Sequence, residues 1–141
     1  MNLCFLIPGE PVAQGRPRFS NRGNFIKAYD PDKSRNYKAF VKVLAIDAMK
    51  KQGCTLSELP LEVGIIAYVG IPTSKPKKFK QQALEGLQKP TKKPDVDNVA
   101  KIILDSITGI VYQDDKQIVK LSVSKIYSET PKVEVQIKDA K

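Results

Sequence analysis

The alternation of apolar and polar positions divides the chain into a short series of regular elements. Leu3 to Ile7 is an apolar run stopped by Pro8-Gly9, the pattern of a short buried strand. The stretch Pro11-Val12-Ala13-Gln14-Gly15-Arg16-Pro17-Arg18-Phe19 is too broken by Pro and Gly for a regular element, and Asn21-Arg22-Gly23-Asn24 reads as a turn between two short strands. From Asp30-Pro31-Asp32 onward a helix is predicted, with Asp30 or Asp32 as N-cap and Gly53 as its end. Tyr37, Phe40, Val41, Leu44, Ala45 and Ala48 recur on one face of it, so both aromatics are expected to pack in the core. Leu61 to Ile71, rich in Val and Ile, predicts a strand through the sheet interior. A second helix is short and carries Phe79, Ala83, Leu84 and Leu87, and a third is marked by Val99, Ile102, Ile103, Ser106 and Ile107 ahead of Gly109. Ile118 to Tyr127 then turns at Ser128-Glu129-Thr130-Pro131 and returns as Lys132 to Lys138, where Val133, Val135 and Ile137 alternate with polar residues.

These elements predict one α/β (α+β) domain over residues 1–141, with a mixed sheet of four or five strands, two or three packed helices and a C-terminal β-hairpin. There are no internal repeats. A chain of this size buries a core without disulfide staples, and Cys4 and Cys54 form neither a disulfide framework nor a metal knuckle. No apolar run reaches membrane-spanning length and Leu3 to Ile7 is too short for a signal peptide, so a cytoplasmic protein without membrane association is expected.

Charge changes the picture. Lys and Arg total 24 against 15 Asp and Glu, a net charge of +9, and such a field favours a polyanionic partner. All four arginines (Arg16, Arg18, Arg22, Arg35) fall between residues 16 and 35, whereas the lysines are scattered. The planar guanidinium fork suits phosphate oxygens, so the loop with Arg16, Arg18 and Arg22 is a candidate DNA-facing segment; solvated surface charge is the competing explanation. Lys75, Lys77, Lys78 and Lys80 make the region between Pro72 and Pro90 a candidate mobile basic flap that neutralises backbone phosphates without reading bases. Histidine is absent, which removes His-based acid–base catalysis, Ser-His-Asp and Cys-His nucleophile systems and His-ligated zinc.

The chemistry left to such a chain centres on Lys93-Pro94-Asp95-Val96-Asp97-Asn98. Pro94 keeps Lys93 out of the helical region, and in an extended segment Asp95 and Asp97 would share a face at the start of the third helix. Two neighbouring carboxylates repel unless a proton or cation intervenes, and hard oxygen ligands suit Mg²⁺ or Mn²⁺. The competing explanation is that Asp97 or Asn98 caps the helix and Asp95 sits in a turn. Lys101, four residues beyond Asp97, lies on the same side of the helix, either as an ordinary i,i+4 partner or as a cation that meets a phosphate. Asp114-Asp115 would add a third and fourth carboxylate if the sheet brought that turn beside the helix start, giving the ligands that metal-assisted phosphodiester hydrolysis uses.

Taken together, Lys93-Pro94-Asp95-Val96-Asp97-Asn98, Lys101, Asp105, the hydrophobic helix and Asp114-Asp115 before a strand resemble the RusA family of Holliday junction resolvases. The Gln-x-Arg-Pro-Arg loop is similar to that of its phage and prophage branch, and the resemblance runs from residue 8 to about 138. It implies a homodimeric, Mg²⁺-dependent endonuclease (Mn²⁺ substituting) that nicks four-way branched DNA in symmetrical pairs during recombination and repair. By position it implies that Asp95, Asp97 and Asp115 are metal-binding carboxylates, Asp114 an accessory acid and Lys101 the catalytic lysine; Lys93 and Asn98, which flank the two acids, are further candidate DNA contacts. Pro94 departs from members that place a basic residue directly before the first Asp. A nuclease acting on flaps or forks, and a non-catalytic junction-binding or architectural protein, are the alternatives.

Overall fold

The computed structural model describes residues 1–15 and 32–141, together with the backbone of residues 18–22 and 25–29. Strand β1 (Asn2–Pro8) buries Leu3, Phe5 and Ile7 and exposes the residues between them, as the apolar run predicts. Strands β2 (Arg18–Arg22) and β3 (Phe25–Tyr29) pair antiparallel with Arg22 opposite Phe25, which is the two-strand unit expected around Asn21 to Asn24. Helix α1 (Asp32–Lys51) follows, and Gly53 beyond it adopts a φ of 66°. Its buried stripe is Ser34, Val41, Ala45, Ala48 and Met49, with Tyr37 and Leu44 half-buried at the margin. Phe40 is a correction to the predicted core: it is 41 % exposed, because at 100° per residue it falls well round the helix from the centre of that stripe.

Strand β4 (Leu61–Gly70), helix α2 (Lys77–Leu84), helix α3 (Val96–Ile107), strand β5 (Ile118–Ser128) and strand β6 (Lys132–Asp139) complete the chain. The main sheet has the order β1-β6-β4-β5, with β4 antiparallel to β6 and parallel to β5. A parallel pair needs a crossover, and α2 and α3 supply it between β4 and β5. Both strands of the expected C-terminal hairpin form, and β4 lies between them and pairs with each. β4 earns that central place through its alternation of buried Leu61, Val63, Ile65 and Ala67.

One face of the sheet carries the core. Leu3, Ile7, Leu61, Val63, Ile65, Val133, Val135 and Ile137 cluster with Val41 and Ala45 of α1 and with Val99, Ile102, Ile103 and Ile107 of α3. The β1 edge is closed by a side chain: Gln52 Nε2 donates to the Cys4 carbonyl (2.7 Å) and Gln52 Oε1 accepts from the Cys4 N–H (3.2 Å), as a neighbouring strand would. At the far end of α3, Gly109 holds a φ of 84°, a left-handed conformation that costs a side chain roughly 1–2 kcal/mol. Gly109→Ala is therefore expected to lower the urea midpoint by that amount of stability with an unchanged denaturant slope.

Candidate functional site

Helix α3 organises the predicted site residues. Its N-cap is Asp95, two residues earlier than Asp97 and three earlier than Asn98, with φ −73° and ψ 142°, so only Asp95 belongs to the extended segment and Asp97 sits in the first helical turn. The Asp95 side chain makes no cap hydrogen bond. Asp97 is exposed, and neither carboxylate has a hydrogen bond or ion pair among the described residues. The capping explanation therefore leaves both pairs of carboxylate oxygens unused. Asp97 also gains nothing from Lys101, which is exposed and forms no ion pair with it. Asp97, Lys101 and Asp105 recur every four residues and are all exposed, an acid–base–acid line opposite the buried Val99, Ile102, Ile103 and Ile107.

A cavity of about 600 Å³ opens beside the helix start. Asp95, Lys93 and Asn98 line it, together with Gln14 of the Gln-x-Arg-Pro-Arg loop and with Glu10 and Lys33, which the sequence alone did not single out. The Pro11 to Gly15 segment is fastened across this region, with Gln14 N–H donating to the Asn98 carbonyl (3.1 Å) and Gly15 N–H to Ser34 Oγ (2.9 Å). These bonds place the root of the arginine-rich loop on the first turns of α3 and α1. Arg16 and the side chains of Arg18 and Arg22 lie outside the described residues. Lys93 is exposed, and Lys125 Nζ holds the preceding Lys92 carbonyl at 2.8 Å. Lys77 and Lys78 are exposed on α2, while Lys75 is half-buried with its Nζ 5.0 Å from the centre of the Phe79 ring.

The second acidic pair is built differently. Tyr112 is fully buried, and its hydroxyl donates to the Leu104 carbonyl (2.9 Å), which anchors the turn after α3 to the helix; burial pushes its pKa up to about 12. Two residues on, Asp114 caps a single 3₁₀ turn (Asp115–Gln117): its Oδ1 accepts from Lys116 N–H (3.0 Å), and Gln117 Oε1 accepts from Asp114 N–H (2.9 Å). Gln117 Nε2 also donates to the Ser57 and Leu59 carbonyls, both at 3.0 Å. So Asp114 is committed in part to holding the turn, whereas Asp115 is exposed and its carboxyl faces Asp114.

The backbone N–H of Lys116, and then Asp115, hold the Asp114 carboxyl below the usual range. The hydrogen bond with Asp114, partial desolvation and the charges of Asp114 and Asp105 push Asp115 above it. In metal-free protein, Asp115 is thus expected to keep its proton to higher pH than an ordinary Asp and Asp114 to lose its proton earlier. The consequence for stability has opposite signs: the Asp115 contribution is present at low pH and lost as pH rises through its raised pKa, and the Asp114 contribution is lost as pH falls through its lowered one. Carbon-detected NMR titration reads both, and Asp105→Asn should bring the Asp115 value down.

The charge acting on Asp115 from α3 is thus Asp105, eight residues or about 12 Å along the axis from Asp97. Among the described residues of one chain, no three acidic or cysteine side chains are grouped to hold a metal ion. Asp95 and Asp97 stand at one end of the α3 face, and Asp105, Asp114 and Asp115 toward the other. Asp105 stands in the sequence only as part of the motif that resembles the family, and the fold sets it near Asp115. No helix among the described residues is long and apolar enough to cross a membrane.

Comparison with known proteins places this arrangement. The chain is 43% identical over 139 residues to the uncharacterized protein YqaN of Bacillus subtilis (strain 168), covering 97% of this chain and 96% of that protein. It is 28% identical over 134 residues to the crossover junction endodeoxyribonuclease rusA of Lactococcus phage r1t, covering 94% of this chain and 93% of the phage protein. The family described as endodeoxyribonuclease RusA matches residues 8–138, which include all three helices and every acidic residue discussed above, and the chain therefore belongs to the RusA endodeoxyribonuclease family.

Proposed function

We propose that this protein is a Mg²⁺-dependent Holliday junction resolvase that cuts four-way branched DNA by paired symmetrical nicks. The observation that carries the proposal is the uncommitted pair Asp95 and Asp97 at the start of α3, in a chain of the RusA family with a net charge of +9. Their oxygens fit Mg²⁺ or Mn²⁺, because such an ion needs only one or two carboxylates and completes its shell with water and substrate phosphate. Asp95 and Asp97 would hold it, and Asp115, with Asp114 in support, is proposed as a further ligand from the other end of the α3 face. When bound, the ion supplies charge neutralisation at the phosphate and a more acidic water.

The chain's own groups do the remaining work. Lys101, with no acidic partner among the described residues, is available to a phosphate oxygen and stabilises charge that builds up there. Lys93 and Asn98 border the cavity beside Asp95 and orient the strand, while Lys75, Lys77, Lys78 and the arginines at 16, 18 and 22 track the backbone. A homodimer, acting in the cytoplasm, supplies two such sites for the paired nicks.

Incubating purified protein with end-labelled four-way, flap and linear DNA, with and without Mg²⁺, tests this directly. Symmetrical nicks in the four-way substrate that require the ion are expected. Preferential cutting of flaps would replace the junction by another branched substrate, and binding without cutting would make the protein architectural.

A further inference from the structure

Helix α2 and the turn after it form an arm whose apolar tip has no part in the cleavage site. Between residues 71 and 93 the chain carries Lys75, Lys77, Lys78, Lys80, Lys89, Lys92 and Lys93 against the single acid Glu85. The arm is anchored at its base, where Phe79 meets Tyr127 of β5 edge-on with ring centres 5.8 Å apart and Ala83 is buried. Its tip is held rigidly as well. Gly86 N–H donates to the Ala83 carbonyl (3.2 Å) and Leu87 N–H to the Gln82 carbonyl (2.9 Å), the paired bonds of a Schellman helix end, with Gly86 at φ 81°.

In that motif the residue after the glycine normally packs an apolar side chain back on the last turn of the helix. Here the residues it would meet are Gln81 and Gln82, which hydrogen-bond to Glu85 (3.4 Å) and Gln88 (3.1 Å). Leu87 is left 70 % exposed, and Leu84 beside it 49 %. The result is an ordered apolar tip in a lysine-rich setting, which suits a partner that is anionic along its length and apolar at one point.

We infer that Leu87, supported by Leu84, is a contact for the exposed base stack at the branch point of DNA, while the surrounding lysines hold the flanking phosphates. Apart from the thymine methyl groups of the major groove, duplex DNA offers apolar surface where a base step is opened, and leucine is among the side chains that proteins insert at such steps. A branch point is already opened there, so the tip would favour branched over linear DNA without reading sequence. This inference rests on the branched-DNA reading of the previous subsection.

The test places 2-aminopurine at the branch point of a four-way DNA and follows its fluorescence as protein is added without divalent metal, with gel shift on the same samples. Parent protein should raise the fluorescence severalfold. Leu87→Ala should remove most of that rise while binding weakens by no more than about threefold, and Leu87→Phe should restore it. An unchanged rise in both Leu87→Ala and Leu84→Ala overturns the inference and leaves the nuclease reading intact. Parent protein that binds neither branched nor linear DNA overturns both. If Leu87→Ala instead turns a dimer into a monomer on size exclusion, the tip is a subunit contact and the inference is likewise overturned.

Discussion

Asp97→Asn is expected to cut Mg²⁺-dependent nicking by about a thousandfold or more while leaving four-way DNA binding within about threefold of the parent protein. The substitution keeps size and shape and removes one negative charge. A thousandfold loss corresponds to about 4 kcal/mol at the transition state, the scale of losing a charged group that organises phosphoryl chemistry. The structural cost is small, because Asp97 is exposed, is not the N-cap and makes no hydrogen bond among the described residues. Only its favourable position in the first turn of α3 is lost, roughly 0.3–1 kcal/mol. Binding should hold or tighten slightly, since a negative charge near DNA phosphates is removed. Gel shift in the absence of divalent metal and nicking in its presence, on one preparation with a matched thermal melt, separate these effects. Equal nicking by variant and parent would sink the assignment of Asp97.

Why Asp97 and Asp115 differ as targets shows what the chain discloses before folding. Periodicity located β1, α1, β4 and α3 to within a residue or two, because each pairs a clear apolar stripe with a Gly or Pro stop. The candidate acids were legible as residue types at a helix start and before a strand. Their placement in space was not, because Asp115 is positioned by Tyr112 bonding back to Leu104 and by Gln117 bonding to Ser57 and Leu59, contacts that no local pattern encodes. The same holds for β5 and β6. Their short turn pointed to direct pairing, yet the sheet sets β4 between them, and register across strands far apart in sequence is decided by which faces must be buried together. Phe40 misled for a simpler reason, since it lies at the edge of the apolar stripe of α1.

The largest effect on stability is expected at the centre of the sheet. Ile65 is 1 % exposed, lies on β4 between Val135 of β6 and Val123 of β5, and faces the helices. Ile65→Ala removes three buried carbons that neighbours on both sides cannot easily replace, so a loss of about 3–4 kcal/mol is expected, combining transfer of roughly 0.8 kcal/mol per methylene with the cavity left behind. For a chain of this length that is about 10 °C in Tm. The adjacent Ile66 is the internal control. It points to the open face of the sheet opposite Ser124 and Glu134, is only half-buried, and its replacement by Ala should cost about 1 kcal/mol. Thermal and urea melts of the two variants compare residues of identical chemistry and nearly identical sequence position. A similar loss in both would mean that the open face is covered in solution. A large loss at Ile65 alone would show that the stability of the sheet rests on the face of β4 that packs with Val41 and Ala45 of α1 and with Val99, Ile102, Ile103 and Ile107 of α3, the helix that carries the exposed carboxylates.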